Sequence, residues 1–482
     1  MENHDTTKQP KGLWFIAISF ALFSFGLGVL ITLLVLYLTE VLKFPTAQAY
    51  TLFATFFSFL YILPVYSGRL SDWFGYKRSY VYGIIFAVIG LFLLSIPNRT
   101  MLYFSLSLFI CGASLELPAF LVLLGKMYEK NDVRRESGFT WFYLIMNVSY
   151  LIASIAGGYI EKLVSFHVAF LVSAIVSVTS LLAFYIGHNT IIPHPTRDLT
   201  ARLKWSQLNM TLALIVTALI PLPIGYYLLK IAAISNELIL AFGAVIIIGI
   251  FVFALYQKTR AARYKLFAFI LLSILSIGFW SLYTLEPSLI TIFIKNNVNR
   301  AIFDTIIPPS VFYGFNPLFI IVVGVIFSYL WVYLRRRNKD LELPTKFTLS
   351  IFIMGIGFLL LALTTAAEGM HGKINMGWPI LGYLFFATAE LLISPIGLAM
   401  VGRLCPEGTE GFLMGVWQVF IGLSAAISSY FAKMAVVPKH GTAIATNPIY
   451  SHAFVKIGLI GIALAIISLI LIPFIKKAIA MR

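Results

Sequence analysis

Charged residues are scarce in this 482-residue chain. Only 11% of its residues are Asp, Glu, Lys or Arg, whereas 60% are hydrophobic, and the mean hydropathy is +0.93. Soluble domains carry about 25% charged residues, so a soluble globular protein is excluded. Apolar stretches of about 20 residues recur along the whole length, and each is long enough to cross about 30 Å of hydrocarbon. The sequence therefore predicts an all-α integral membrane protein.

Cysteine, mid-span histidine and enzyme motifs are also scarce or absent. The two cysteines, Cys111 and Cys405, lie in or at the end of predicted spans, which argues against a structural disulfide or a thiolate metal site. No histidine falls in the middle of a predicted span, so a proton relay there would have to use Glu. The sequence has no HExxH, GxSxG or P-loop motif. We expect no enzymatic activity, no metal, no cofactor and no ATP drive.

The net charge of +16 reflects topology. Fourteen spans are predicted at 13–39, 46–66, 79–97, 101–126, 137–161, 166–187, 207–229, 236–257, 264–294, 308–334, 346–368, 376–404, 408–432 and 451–475. With the N-terminus in the cytoplasm, 25 of the 35 Lys and Arg residues fall on the cytoplasmic side, as the positive-inside rule requires. Both termini are predicted to be cytoplasmic, and no nucleic-acid partner is expected. The first apolar run is too long for a cleaved signal peptide and is expected to stay as an anchor.

The order of the spans indicates three parts. Residues 1–187 are predicted to form a six-helix bundle, residues 188–263 a linker with an inserted two-helix hairpin, and residues 264–482 a second six-helix bundle. The linker begins with HNTIIPHPTRDLTARLKW, the most polar long stretch of the chain.

The loop between the second and third spans, SGRLSDWFGYKRS, resembles the signature loop of the major facilitator superfamily. The residues that match are Gly68, Asp72, Gly75, Lys77 and Arg78. A short basic loop favours the cytoplasmic side, and an Asp within it can pair with a basic group or cap a helix when that side closes. The resemblance implies a major facilitator fold and a gating role for this loop.

Several longer segments are similar to the proton-dependent oligopeptide transporter family. They are LLVLYLTEVLKFPTAQA (33–49), GFTWFYLIMNVSYLIA (138–153), IPPSVFYGFNPLFIIVVGVIFSYLW (307–331), LPTKFTLSIFIMGIGFLLLAL (343–363) and ATAELLISPIGLAMVGRLCPEGTEGFLMGVW (387–417). The match covers nearly the whole chain in the same order, and the inserted helix pair is a trait of the bacterial members. The resemblance implies proton-driven import of small peptides through a monomer in a bacterial inner membrane.

The family's binding residues carry over only in part. Glu390 matches the carboxylate that meets the peptide amine, but the charged ExxER motif of helix 1 falls on Phe20, Phe23 and Ser24. The cationic position of helix 4 is Leu117. The chain therefore departs from the family because it lacks the groups that bind the peptide carboxylate.

Three glutamates remain near the centres of the predicted spans: Glu116, Glu286 and Glu390. Charged groups at bilayer depth are expensive, so these carboxyls are expected to face a cavity or a partner. Glu390 is predicted to bind substrate, and Glu286 and Glu116 to carry protons. Glu286 lies two residues beyond the matching family position, about 200° around a helix, and would point elsewhere unless Pro287 breaks the turn. If the helix ends early, Glu286 has an alternative partner in Lys295 or Arg300.

Uncharged residues match the family's pocket better than the charges do. The predicted substrate contacts besides Glu390 are Tyr61, Asn147, Trp280, Asn316 and Trp417. Side-chain amides can donate hydrogen bonds to a peptide bond and accept them from it without carrying charge, and indole rings can line a pocket for a side chain. Each of them alone is also compatible with simple helix packing.

Three functions stay open at this point. The first is proton-coupled symport of small peptides or peptide-like solutes by alternating access, driven by the proton gradient without a cofactor. The second keeps the fold but moves cationic amines, because an anionic solute would meet only carboxylates. The third is a receptor or scaffold that does not transport.

Overall fold

A computed structural model describes residues 9–129, 132, 134–191, 206–337, 339, 341–406, 409–438 and 441–480. Within these residues, fourteen helices are long and apolar enough to cross a membrane, as predicted. The chain divides into two compact units. The N-terminal unit comprises Met1–Tyr37 and Phe59–Ile231, and the C-terminal unit comprises Leu38–Ser58 and Ala232–Arg482. The three-part division at residues 187 and 263 stays a prediction.

The first ten helices run to the end of the inserted pair. They are α1 (Lys11–Glu40), α2 (Thr46–Ile62), α3 (Pro64–Phe74), α4 (Tyr76–Leu94), α5 (Arg99–Gly125), α6 (Arg134–Leu163), α7 (Phe166–Gly187), α8 (Gln207–Leu219), α9 (Pro221–Lys230) and α10 (Ala232–Leu255).

The remaining elements all belong to the C-terminal unit. They are α11 (Arg260–Tyr283), a π-helical turn (Glu286–Ile290), α12 (Thr291–Asn297), a 3-10 helix (Pro309–Gly314), α13 (Phe315–Arg336), α14 (Leu343–Gly369), α15 (Gly377–Leu404), α16 (Glu410–Lys433) and α17 (Ala443–Ala480). Four two-residue strands accompany them: β1 (Val298–Asn299) pairs in parallel with β4 (Ile374–Asn375), and β2 (Ala301–Ile302) pairs antiparallel with β3 (Thr305–Ile306).

Prolines divide two of the predicted helices. The predicted helix 46–66 is α2 followed by α3, and the predicted helix 207–229 is α8 followed by α9. Pro64 and Pro221 each begin the second helix of their pair. Proline has no N–H to give to the preceding turn and its fixed φ suits the first turn of a new helix. Each pair still forms one continuous candidate span.

The last helix is much longer than its apolar run. The sequence predicts a helix over 451–475, whereas α17 begins at Ala443 and ends at Ala480. The added N-terminal turns contain the buried Asn447, whose amide donates to the carbonyls of Gly369 at 3.0 Å and Gly372 at 2.8 Å. Hydropathy finds only the membrane-embedded part of such a helix, so these polar turns were missed.

Both halves of the inserted hairpin are hydrogen-bonded into their own units. In the N-terminal unit, Ser107 donates to the carbonyl of Leu222 at 2.7 Å. In the C-terminal unit, the buried Asn236 of α10 accepts from Thr55 at 2.9 Å and donates to Ser429 at 3.2 Å. Polar side chains at such contacts hold membrane helices together because lipid supplies no hydrophobic drive between them.

The interior of the N-terminal unit contains a cluster of phenylalanines. Phe20 of α1 lies with its ring 4.2 Å from Phe120 of α5 and 5.0 Å from Phe142 of α6, and the latter two rings are 4.6 Å apart. All three are buried. Phe20, one of the positions matched to the charged helix 1 motif, is therefore part of an aromatic cluster in this protein.

Candidate functional site

A break after α11 decides where Glu286 points. The sequence predicts one helix over 264–294, but the structure has α11, then the π-helical turn Glu286–Ile290, then α12. Pro287 has no N–H to donate to the preceding turn. The hydroxyl of Thr291 donates to the Glu286 carbonyl at 3.1 Å. The local break expected as an exception is thus present, and it leaves Glu286 fully buried, with 0% of its surface exposed.

Glu286 has a defined partner. The Nδ2 of Asn316, at the start of α13, donates to its Oε2 at 3.0 Å. The other carboxylate oxygen, Oε1, is buried without a hydrogen-bond partner among the described residues. Lys295 instead pairs with Glu40 at 2.5 Å, so it is not the partner of Glu286. A buried polar atom left open in this way is a natural contact for water or a solute.

The second carboxylate of this unit, Glu390 of α15, is also buried and lies within electrostatic reach of Glu286. Tyr283 lies beside both carboxyls and shares a hydrogen bond with Tyr313. The hydroxyl of Tyr383 is fully buried near Glu286 and has no hydrogen-bond partner among the described residues. We call Glu286, Asn316, Glu390, Tyr283, Tyr313 and Tyr383 the C-terminal cluster.

The two predicted tryptophans have different surroundings. The Trp280 ring lies 5.2 Å from Tyr283, so it borders the C-terminal cluster, and its Nε1 has no hydrogen-bond partner among the described residues. Trp417 is buried against Phe347, with ring centroids 6.4 Å apart. Its ring packs so closely on Gly397 that no side chain would fit there. Trp280 is therefore the better placed of the two to meet a solute.

The predicted residues of the N-terminal unit form no comparable cluster of bonded groups. Glu116 of α5 is buried, and neither of its carboxylate oxygens has a hydrogen-bond partner among the described residues. Asn147 is buried in α6 and donates to the carbonyl of Tyr143 in its own helix at 2.8 Å. Tyr61, in α2, is half-buried. Of these three, Glu116 has the most open polar atoms.

The signature loop connects α3 and α4. Gly75 ends α3 with φ +95°, a backbone conformation that favours glycine. Asp72 accepts from the Tyr76 hydroxyl at 2.6 Å. Lys77 donates to the carbonyl of His188, the first residue of the predicted linker, at 2.8 Å.

Arg78 binds on the other side of that linker. It donates to the carbonyl of Phe74 at 3.0 Å and to the side chain of Gln207. Gly68 lies in α3 near Pro118. The basic residues of the loop thus hold both flanks of the linker, while residues 192–205 lie outside the described residues.

The connection between α5 and α6, outside the spans, contains an ion pair and a tyrosine with a raised pKa. Between α5 and α6, Arg134 donates hydrogen bonds to Asp132, with an N–O distance of 2.7 Å, and holds the pKa of that carboxyl below its usual value. Burial raises the pKa of Tyr128 to about 12, and its hydroxyl donates to Gln9 at 2.8 Å. This end of the N-terminal unit is therefore a network of fixed polar contacts.

The tyrosines of the C-terminal cluster were missed from the sequence. One signal could have found Tyr383: it precedes Glu390 by seven residues, two helical turns, and so shares its face of α15. Tyr283 ends α11 and Tyr313 lies in the 3-10 helix before α13, so their hydrogen bond joins two elements that are distant in sequence. Among the described residues, no group of three or more His, Cys, Asp or Glu side chains could hold a metal ion.

Comparison with known proteins gives the family. The POT family profile matches residues 77–448, more than three quarters of the chain. The chain belongs to the POT family. Its similar relatives include a dipeptide and tripeptide permease B from Aliivibrio fischeri (strain MJ11), 30% identical over 464 residues, covering 94% of this chain and 92% of the relative. The permease B of Yersinia enterocolitica is 29% identical and covers 98% and 96%.

Solved structures of POT proteins share the fold. A crystal structure of a peptide transporter POT in complex with sulfate has a TM-score of 0.84 at 24% identity, covering 98% of this chain and 96% of that one. A POT family transporter in complex with 5-aminolevulinic acid has a TM-score of 0.84 at 22% identity, covering 97% of each. The predicted major facilitator fold is confirmed. So is the prediction of an integral membrane protein of the transporter class and not an enzyme.

Proposed function

We propose that this POT-family chain is a proton-coupled symporter of small peptides that works by alternating access. The permease names of its relatives support peptide as the substrate class. The observation that carries the proposal is the pair of buried carboxyls, Glu286 and Glu390, with a donor amide on one of them. Buried acids inside a membrane protein are expensive to maintain and mark substrate or proton pathways.

The two carboxyls would have different roles. Glu390 would bind the amino group of the peptide, and Glu286 would carry the proton. Two neighbouring buried carboxylates repel each other, so a proton on one and an ammonium group on the other would neutralise the pair together. This gives a physical reason for proton and solute to bind as a unit. Asn316 would hold Glu286 in place through its amide hydrogen bond.

The other predicted residues have secondary roles in the proposal. Tyr61, Asn147, Asn316, Trp280 and Trp417 would contact the peptide, and Glu116 would be a second proton site. Gly68, Asp72, Gly75, Lys77 and Arg78 would act in closing the cytoplasmic side. The transporter would work as a monomer in the bilayer of a bacterial inner membrane, with both termini in the cytoplasm. It would need the proton gradient and no cofactor or metal.

One observation favours cationic amines as a second candidate solute. The charged side chains buried in the described parts of the chain are Glu116, Glu286 and Glu390, and no Lys or Arg is buried there. Among the described residues, a free solute carboxylate would find no buried cation, whereas an amine would find a complementary charge.

Uptake into proteoliposomes tests both candidates. Labelled dialanine and a panel of cationic amines would be offered with and without an inward proton gradient, to the wild type and to Glu390→Gln. Glu342→Gln is the control, because Glu342 is surface-exposed and pairs with Lys476 at 3.0 Å. Gradient-stimulated dialanine uptake, lost only in Glu390→Gln, supports peptide symport. Uptake of amines but not of dialanine supports amine transport, the second candidate. If neither solute is taken up, both candidates are refuted.

A further inference from the structure

A cavity of about 500 Å³ opens in the C-terminal unit, between one end of α14 and the N-terminal part of α17. Its lining includes Thr365 and Met370 from α14 and its following turn, and Ile444, Ser451 and His452 from α17. None of these residues belongs to the C-terminal cluster. A cavity of this volume is large enough for part of a drug-sized or lipid-sized molecule.

The inner wall of the cavity presents open polar atoms. Thr365 is only 1% exposed, and its hydroxyl has no hydrogen-bond partner among the described residues. Ser451 donates to the carbonyl of Ala362 at 3.0 Å, so its oxygen can still accept a hydrogen bond. Asn447 fixes the wall through its bonds to Gly369 and Gly372. The wall is therefore preformed, polar at its base and incompletely satisfied.

The position of the cavity relative to a bilayer follows from α17. Between Lys456 and Lys476 runs an uncharged stretch of 19 residues, 457–475. At 1.5 Å per residue it measures about 28 Å, close to the roughly 30 Å thickness of the hydrocarbon core. Lys456 thus marks one boundary of the hydrocarbon. His452, on the cavity lining one turn before it, lies at the level of the lipid headgroups.

A lysine lies one turn beyond the cavity lining, at the start of an exposed apolar stripe. His452 and Lys456 are both exposed and share a face of α17, since they are four residues apart. Leu459 and Ile466 follow on the same face with more than half of their surface exposed. An exposed apolar stripe on a spanning helix faces hydrocarbon.

A further cation follows the cavity wall in sequence. Lys373 is exposed in the turn after Met370. The acid nearest to it in the chain, Glu368, is engaged, because it accepts from the backbone N–H of Asn375 at 2.8 Å and from Trp378 Nε1 at 2.6 Å. Lys373 and Lys456 are thus two exposed cations that adjoin the cavity wall in sequence.

We propose that this cavity binds an anionic glycerophospholipid. Its phosphate would lie beside Lys456 and His452, a glycerol or ester oxygen would accept from the Thr365 hydroxyl, and an acyl chain would run along Leu459 and Ile466. Lysines near a membrane surface attract anionic lipid headgroups, and this attraction falls off within a Debye length. The site is separate from the proposed transport site and does not depend on peptide being the solute.

Native mass spectrometry of the purified full-length chain tests the site. The protein would be titrated with phosphatidylglycerol or with phosphatidylcholine of the same acyl chains, and the first binding event would be measured. The variants are Lys456→Gln, Thr365→Val and the cavity-filling Ala366→Phe. Lys477→Gln is the matched control, because it removes the same charge from an exposed position at the opposite end of the same helix.

We expect phosphatidylglycerol to bind more tightly than phosphatidylcholine, and Lys456→Gln to weaken it about fivefold, as expected for one lysine near an anionic headgroup. Thr365→Val and Ala366→Phe should also weaken the first binding event, whereas Lys477→Gln should leave it unchanged. Equal binding of both lipids, or equal loss in Lys456→Gln and Lys477→Gln, overturns the proposal. Melting temperatures equal to that of the wild type would show that the variants fold, including Thr365→Val at the buried inner wall.

Discussion

The two units contain different groups of buried side chains, an aromatic cluster in the N-terminal unit and a pair of carboxyls in the C-terminal unit. In the N-terminal unit, Phe20 stands at a position that the resemblance assigns to the charged motif of helix 1, and it packs ring against ring with Phe120 and Phe142. In the C-terminal unit, Glu286 and Glu390 are retained with an amide and several tyrosines around them. The first group is held by ring packing and the second by hydrogen bonds and electrostatics, although Glu116 of the N-terminal unit also has open oxygens.

The difference shows where binding chemistry can reside. A packed aromatic cluster gains from dispersion and from removing apolar surface from water, and it has no unmet demand for a partner. A buried carboxyl with an open oxygen has such a demand, and water, a proton or a solute can meet it. In the N-terminal unit, the buried acid with open oxygens is Glu116.

The largest expected effect is a loss of stability when the aromatic cluster of the N-terminal unit is disrupted. Phe20→Ala removes a buried ring that touches two others, so it should lower the free energy of unfolding by about 3–5 kcal/mol. The measurement is the melting temperature of the protein in detergent. Phe412→Ala is the control, since Phe412 is well exposed and should cost little. A melting temperature of Phe20→Ala equal to that of the control would contradict a packed core at this place.

A second substitution tests the carboxyl pair of the C-terminal unit. Glu286→Gln keeps the shape and a polar side chain but removes the proton site, so gradient-stimulated uptake should fall by a factor between about 5 and 150, the usual range of coupling between two ligands. Exchange of labelled for unlabelled solute without a gradient should persist. Glu116→Gln is the matched variant in the other unit. Full gradient stimulation in Glu286→Gln would refute its role, and an equal loss in Glu116→Gln would extend that role to both units.

The smallest expected effect compares two asparagines. Asn316 donates to a carboxylate on another element, whereas Asn147 donates to a carbonyl of its own helix. Asn316→Leu should therefore destabilise the protein more than Asn147→Leu, by about 0.6–1.7 kcal/mol, the range measured for hydrogen bonds between membrane helices. Thermal unfolding of the two variants side by side gives the difference. If Asn147→Leu proved as costly, its amide would have a partner beyond its own turn.

Much of this protein could be predicted from its sequence. The apolar runs gave the class and the number of spans, because membrane crossing depends on length and hydropathy alone. The motif positions led to the family, and the rarity of charge within the runs singled out Glu116, Glu286 and Glu390. Proline breaks and the polar ends of helices were less visible, since hydropathy does not record which backbone groups stay bonded.

What the sequence determined by itself is the set of spans and the few acids that must be accounted for within them. Only the tertiary structure decided which of those acids act together. Pro287 turned the chain so that Glu286 meets Asn316 and comes within reach of Glu390, whereas Glu116 was left without a hydrogen-bond partner among the described residues. The reason is geometric: a one-residue change in helical phase rotates a side chain by about 100°, and such changes depend on local backbone bonding.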